Sequence, residues 1–146
     1  MDSRRGYTLI EILAVLAVIG IAIALAQVRF ARSPAQALEH EGRKLALVLE
    51  FARDEAMMQG CTVAWWSSID SHRLECRRAQ TDYVAHPWAQ GVALERVSIA
   101  GVPVSRESPL LFTPSGINPP FELMLALESN RVHVTGDALG RVSVSR

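Results

Sequence analysis

One apolar segment near the N-terminus constrains this chain more than any other feature of its sequence. From Tyr7 to Val28, the 22 residues include only two strongly polar side chains, those of Glu11 and Gln27. As an α-helix, such a segment is about 33 Å long, and the hydrocarbon core of a bilayer is about 30 Å thick. The segment is therefore long enough to span a membrane as one helix.

The carboxylate of Glu11 is the unexpected member of this segment. A charged side chain at membrane depth costs about 2.5–3.5 kcal/mol on insertion scales, so a plain anchor would work better with leucine there. Two simple interpretations leave that cost unexplained. One is a secretory signal peptide cleaved after the ALA at 24–26. The other is a single-span anchor that keeps Arg4 and Arg5 in the cytoplasm.

The complete N-terminal string resembles the signal of type IV pilins and pseudopilins. It joins a charged leader ending in Gly6, an aromatic residue at Tyr7, the sequence TLIE and a long apolar helix. In that family a prepilin peptidase cuts after the glycine and methylates the new N-terminus. The resemblance therefore implies cleavage between Gly6 and Tyr7 and N-methylation of Tyr7. The family usually has phenylalanine where this chain has tyrosine, and tyrosine keeps the aromatic ring.

The resemblance also implies a role for Glu11, which would be the fifth residue of the mature chain. Cleavage creates a cationic amine at Tyr7, and a carboxylate pairs with such an amine in a low-dielectric setting. The geometry is awkward within one helix, and in the family the glutamate pairs with the amine of a neighbouring subunit. We therefore expect Glu11 to be a subunit-assembly residue.

Residues 29–60 are predicted to form an amphipathic continuation of the N-terminal helix. Ser33-Pro34 is either an N-cap followed by proline in the first turn or a kink in one long helix, and Gly60 is a candidate C-cap. The apolar face, which needs a sheet to pack against, is formed at helical spacing by Leu38, Leu45, Leu49, Ala52 and Ala56.

From Cys61 onward the hydrophobic period changes to two. CTVAWW and RLECRR predict a hairpin around SSIDSH, and alternating apolar and polar residues indicate antiparallel strands with one wet face. Five further strands are predicted, at 91–99, 109–113, 121–128, 131–135 and 141–145. The predicted fold class is α+β, a long N-terminal helix packed by its second half against antiparallel sheet.

Four segments follow from these patterns and from the pilin resemblance. A cleaved leader occupies residues 1–6 and a transmembrane helix residues 7–28. The amphipathic helix continues over 29–60, and a β-rich periplasmic domain occupies 61–146. The expected location is the inner membrane, crossed once, with the C-terminal domain in the periplasm.

Three later segments are similar to the GspH/FimT family of minor pilin-like proteins. They are FARDEAMMQG at the end of the helix, FTPSGINPPFELML at 112–125 and VTGDALGRVSVS at 134–145. The resemblance implies a GspH-type, sandwich-like domain and a minor pseudopilin of the type II secretion system, a structural subunit of the filament needed to export folded proteins across the outer membrane. The implied partners are other minor and major pseudopilins, the prepilin peptidase and the inner-membrane secretion platform.

The alternative is a FimT-like minor type IV pilin that acts in pilus biogenesis or DNA uptake. A basic C-terminal surface would favour it, and the last sixteen residues contain only Arg131, Arg141 and Arg146. The whole chain balances 15 Lys and Arg against 15 Asp and Glu, and no basic stretch exceeds two residues. The electrostatic signature of a nucleic-acid-binding protein is therefore weak.

The two cysteines, Cys61 and Cys76, fall on opposite arms of the predicted hairpin. If the turn comprises Ser67 to Asp70 they lie directly opposite each other. A shift of the turn by one residue makes them diagonal neighbours, which are harder to bridge. The periplasm permits disulfides, so a bridge and a pair of buried thiols both stay open.

No catalytic residue, metal site or cofactor site is predicted. The sequence contains no nucleophile with a base at informative spacing and no phosphate loop, and the four histidines are scattered. Trp65 and Trp66 point to opposite faces of one strand, so one of them is expected in the core. The other is either a contact surface for a neighbouring subunit or an exposed side chain without a function.

Overall fold

The computed structural model describes residues 9–30, 33–76, 81–82 and 85–146, with the side chains of 24–30 and 81–82 excepted. Two compact units are present, Met1–Ser33 and Pro34–Arg146. In the first unit a single helix, α1, runs from Leu9 to Phe30. The predicted span at 7–28 begins before the described residues.

Every described side chain of α1 from Leu9 to Ile23 is exposed. Ten of these are large and apolar, so the helix has no polar face turned to water. Counted over the part of the chain that the structure describes, no helix has both the length and the apolar character required to cross a membrane. The transmembrane helix stays a prediction from the sequence.

The second unit begins with α2, Pro34–Gln59. Proline fits the first position of a helix because the amide it lacks would have no partner there. Gly60 follows at φ 61°, the left-handed conformation typical of a C-cap glycine. All five residues of the predicted apolar face are buried, which confirms the amphipathic pattern: Leu38, Leu45, Leu49, Ala52 and Ala56.

Ten strands follow α2 in the described residues. They are β1 Val63–Ser67, β2 Ser71–Cys76, β3 Thr81–Asp82, β4 His86–Pro87, β5 Ala93–Ile99, β6 Val102–Val104, β7 Leu110–Phe112, β8 Phe121–Leu127, β9 Asn130–Gly136 and β10 Val142–Ser145. The first sheet has the order β3-β2-β1-β7, with β4 also paired to β2, and the second has the order β10-β9-β8-β5-β6. Their pairings are antiparallel, so the predicted α+β fold class is confirmed.

The helix α2 contacts strands of both sheets. The hydrophobic core is formed by buried residues of α2 together with residues of both sheets. Close approach to the second sheet depends on Gly42, because a Cβ there would lie 3.0 Å from Cγ1 of Val132 and 3.2 Å from Cγ1 of Val144. Trp65 and Phe112 are the largest fully buried side chains and come from the first sheet. Trp65 is thus the core tryptophan, and Trp66 is half-buried.

Candidate interaction surfaces

The predicted N-terminal site is only partly within the described residues. Gly6 and Tyr7 lie outside them, so their roles in cleavage and methylation stay predictions. Glu11 is the third residue of α1, within its first turn, and its side chain is exposed. A carboxylate in the first turn interacts favourably with the helix dipole. This interaction lies within α1 itself and needs no neighbouring subunit.

The helix α2 carries a second apolar stripe that does not face the sheets. Leu47, Phe51 and Met58 are 49–80% exposed, and at 3.6 residues per turn they lie within about 40° of one another around the axis. We call these three residues the outer stripe. Leu38 and Ala56, which are fully buried, lie about 180° from Leu47. An amphipathic helix needs one apolar face for its own core, so the exposed side chains of Leu47 and Met58 suit contact with another protein.

The C-terminal end of α2 is tied to the loop before the last strand. Nη1 of Arg53 donates to the carbonyl oxygens of Leu139, at 3.2 Å, and Gly140, at 3.1 Å. Gly140 has φ +76°, a conformation in which a side chain is strained, and a Cβ there would displace the side chain of Arg53. Asp137 organises the same loop, because its Oδ1 accepts from the backbone amides of Leu139 and Arg141, each at 2.9 Å.

The loop between β7 and β8 meets the same end of the helix. Gly116, at φ +72°, lies so close to Met57 that a Cβ there would be 3.0 Å from its Sδ. The backbone amide of Asn118 donates to the carbonyl of Ala138 at 3.1 Å, which joins this loop to the loop before β10. The three segments that resemble the GspH/FimT family therefore converge at one end of the globular unit.

An apolar surface covers this convergence. Met57, Ile117 and Leu139 come one from each of the three segments, and each is more than half exposed. We call these three residues the loop patch. Solvent-exposed apolar side chains that gather from separate segments are typical of protein-interaction sites, and methionine adapts to differently shaped partners.

A disulfide links Cys61 and Cys76, whose Cα atoms are 6.3 Å apart. The strand register pairs Cys76 with Val63, so Cys61 lies diagonally across from Cys76, the arrangement that is harder to bridge. Cys61 precedes β1 and follows the left-handed Gly60. Its side chain is therefore not directed by the pleat of the strand and can reach Cys76.

A cluster of rings around the buried His72 was not predicted from the sequence. Nε1 of Trp65 donates to Nδ1 of His72 at 3.2 Å, and the His72 ring also contacts those of His86 and Trp88, with centroids 5.5 and 4.6 Å away. Burial, and secondarily the charge of His86, lowers the pKa of His72 from 6.5 to about 4. The imidazole is therefore neutral at pH 7. In the described part of the chain, no three His, Cys, Asp or Glu side chains are grouped as metal ligands would be.

Two of the three C-terminal arginines are engaged by carboxylates. Nε of Arg131 lies 2.7 Å from Oε2 of Glu95, and the guanidinium of Arg146 pairs with Glu39 on α2. The hydrogen bond from Arg146, more than any other interaction, lowers the pKa of Glu39. At these two positions a carboxylate balances the positive charge of the guanidinium group.

Comparison with known families gives two matches along the chain. The sequence model of the type II transport protein GspH matches residues 41–143, and that of the prokaryotic N-terminal methylation motif matches residues 1–26. No curated protein matches the sequence.

Solved structures with a similar fold include pseudopilins and pilins. The minor pseudopilin EpsH of the Vibrio cholerae type II secretion system matches with a TM-score of 0.62 at 15% identity, over 77% of this chain and 95% of its own. The type IV minor pilin FimU of Pseudomonas aeruginosa matches with a TM-score of 0.59 at 14% identity, over 75% of this chain and 88% of its own. At such low identity these matches show a shared fold.

Proposed function

Because the chain belongs to the GspH family of type II transport proteins, we propose that it is a minor pseudopilin in the periplasmic pseudopilus of the type II secretion system. In this role it is a structural subunit of a machine that exports folded proteins across the outer membrane. One observation carries the proposal. A methylation motif at residues 1–26 and a GspH match at residues 41–143 stand in this order on the same chain.

The apolar surfaces of the two helices support a filament subunit. α1 exposes apolar side chains on all sides between Leu9 and Ile23, and α2 exposes the outer stripe opposite its buried face. A helix that is apolar on every side needs lipid or protein around it, and exposed apolar side chains such as Leu47 and Met58 on α2 suit a protein partner. Packing of helices between neighbouring subunits satisfies both requirements.

The N-terminal chemistry follows from the same proposal. Prepilin peptidase removes residues 1–6, Tyr7 becomes the methylated N-terminus, and residues 7–28 cross the inner membrane once. Residues 29–60 and 61–146 lie in the periplasm as the helix continuation and the β-rich domain. Glu11 pairs with the Tyr7 amine of a neighbouring pseudopilin, and this pairing offsets the cost of a carboxylate at membrane depth.

The deciding experiment deletes the gene from its source bacterium and follows two outputs. We expect the secreted proteins to disappear from the medium and to accumulate, folded, in the periplasm, while twitching and DNA uptake are unchanged. A plasmid copy of the wild type restores secretion, and the Gly6→Ala variant, which the peptidase cannot process, does not.

The opposite pair of results, normal secretion with lost pili or lost DNA uptake, would assign the chain to the pilus system instead. The fold of this chain is also similar to that of the minor pilin FimU. The fold alone therefore does not distinguish the two systems, and the experiment has to do so. The pairing of Arg131 and Arg146 with carboxylates argues against a DNA-binding role.

A further inference from the structure

A short segment that contains β4 covers the imidazole of His72. In the described residues β4 pairs with β2 at only two positions, and one of these pairs joins His86 to His72. Only 5% of His72 is exposed, and the ring centroids of His86 and Trp88 lie 5.5 and 4.6 Å from its own. We call residues 86–89 the strap, and His72 is buried beneath it.

Few bonds hold the strap in place. The backbone amide of Trp88 donates to the carbonyl of Asp70 at 3.0 Å, and its Nε1 donates to the carbonyl of Ser68 at 3.1 Å. The backbone amide of Ala89 donates to Oε1 of Glu41 on α2 at 3.3 Å. By comparison, β1 pairs five of its residues with β2 and three with β7. Of the two segments whose rings contact His72, the strap is therefore held more weakly than β1.

The hydrogen bond from Trp65 fixes where His72 can carry a proton. An indole nitrogen is only a donor, so Nδ1 of His72 is the acceptor in the 3.2 Å bond between them and the ring proton lies on Nε2. A second proton would occupy Nδ1, where it would point at the indole N–H. Trp65 is fully buried in the core and belongs to β1, so it is not free to turn away. Protonation of His72 therefore breaks this bond and forces a rearrangement around the ring.

The charged groups near the ring do not compensate for that conflict. His86 on the strap is exposed, and its positive form repels a second positive ring beside it. Arg73 and Glu107, which are opposite in charge, line a cavity of about 310 Å³ together with His72. Within the described residues no carboxylate forms an ion pair with His72.

The charged groups on the helix and the turn are engaged elsewhere. Glu41 on α2 is buried, and its carboxylate accepts from the strap itself and lies 3.5 Å from Nζ of Lys44. Asp70, in the turn between β1 and β2, is exposed and contacts the strap through its backbone carbonyl. Both residues therefore hold the strap closed rather than stabilise a proton on His72.

We propose that the strap is an acid-operated cover: when His72 binds a proton, the strap lifts from β2 and exposes the ring of Trp88, while both sheets stay folded. The strap moves in preference to Trp65 because fewer bonds hold it. Lifting removes the two covering rings, takes the charge of His86 away and admits water to the imidazole. Loss of the proton closes the strap again. The inference concerns the globular unit alone, so it holds for either filament system.

The size of the effect follows from the difference between covered and uncovered His72. Burial, with a smaller contribution from the charge of His86, lowers the pKa of His72 to about 4, whereas an uncovered ring has the ordinary pKa of 6.5. Because the lifted form binds the proton more tightly, acid favours it, starting near pH 6.5 and ending near pH 4. The ratio of lifted to closed strap should therefore rise about thirtyfold between pH 7.5 and pH 5.

Hydrogen exchange of two backbone amides tests the proposal in the full chain, purified in detergent micelles. The amide of Trp88 reports on the strap, because it donates to the carbonyl of Asp70. The amide of Leu123 reports on the core, since this fully buried residue lies in β8 between β5 and β9. Rates are expressed as protection factors against an unstructured peptide at the same pH, which removes the pH dependence of the exchange chemistry itself.

We expect Trp88 to be at least tenfold less protected than Leu123 at every pH, because the strap opens while the sheets stay folded. The protection of Trp88 should fall about thirtyfold from pH 7.5 to pH 5. His72→Gln should abolish this fall, since the glutamine does not titrate and its oxygen can accept from Nε1 of Trp65. His40→Gln, at an exposed position on α2, is the matched control and should keep it.

Two outcomes in the wild type would overturn the proposal, and neither depends on whether a variant folds. Equal protection of Trp88 and Leu123 would mean that the strap opens only when the whole unit unfolds. A protection factor of Trp88 that stays constant between pH 7.5 and pH 5 would mean that acid does not open it. An equal fall in His72→Gln and His40→Gln would also reject the proposal, because the acid response would then belong to another group.

Discussion

Acidification should destabilise the globular unit through one buried histidine. The pKa of His72 is about 4 in the folded chain and 6.5 in the absence of the fold, a difference of about 2.5 units. Because the unfolded chain binds the proton first, the free energy of unfolding falls as the pH drops below 6.5 and stops falling below 4. At about 1.4 kcal/mol per unit, the full loss is about 3 kcal/mol, of which about 2 kcal/mol is lost at pH 5.

Chemical denaturation of the full chain measures this loss. Urea unfolding is followed by tryptophan fluorescence between pH 7.5 and 3.5, because Trp65 and Trp88 contact the His72 ring and report its surroundings. His72→Gln should flatten the decline between pH 6.5 and 4 and, at pH 7, should remain folded, since the glutamine oxygen can accept from Nε1 of Trp65. A loss of about 3 kcal/mol is large beside a typical total stability of about 5–15 kcal/mol.

The matched control is His40→Gln, at an exposed position on α2. It should keep the pH dependence of the wild type. The reasoning is refuted if His72→Gln loses stability with acid as steeply as the wild type and as His40→Gln, because the decline would then come from other groups. A direct NMR titration of the His72 ring with a midpoint near 6.5 would refute it as well.

Three further predictions concern the N-terminus and the disulfide. Mass spectrometry of the membrane-extracted protein should find a chain that starts at N-methylated Tyr7, and a chain that starts at Gln27 would contradict the pilin-like signal. The Glu11→Leu variant should be inserted and processed normally but should crosslink poorly to partner pseudopilins in native membranes. The reason is that breaking a buried ion pair costs about 3–5 kcal/mol. Crosslinking at the wild-type level would exclude the pairing. Mass analysis without reductant should find two hydrogens fewer than in the reduced protein, and Cys76→Ser should lower the free energy of unfolding by about 3 kcal/mol for a loop of 15 residues. Quantitative alkylation of both cysteines in unreduced, denatured protein would show that the bridge is absent.

Much of the fold could be predicted because its patterns are local. Phe121, Leu123 and Leu125 alternate with other residues along β8 and are all buried, as a period of two requires. The predicted face of α2 is buried for the same reason, at a period of 3.6. β3, β4 and β6 were not predicted. They have only two or three residues each, too few for an alternation to appear, whereas the equally short β7 lies within the apolar run PLLFT.

The missed strand β4 explains why the histidine cluster was missed. His72 and His86 are partners in the register of β2 and β4, so two residues that look scattered in the sequence face each other across the sheet. The cysteine register depended in the same way on one turn. Ser67 pairs with His72, which moves the turn by one residue from the position that would place Cys61 and Cys76 directly opposite each other.

The N-terminal methylation motif and the periodicities of helix and strand are determined by the sequence alone, since each is a pattern of neighbouring residues. The outer stripe can also be derived from helical spacing, although its exposure depends on where α2 packs. The loop patch was decided by the tertiary structure. Arg53 contacts a loop 86 residues away and Asn118 contacts Ala138 across the strands between them. No local pattern encodes such contacts, because they exist only once the helix and both sheets have packed.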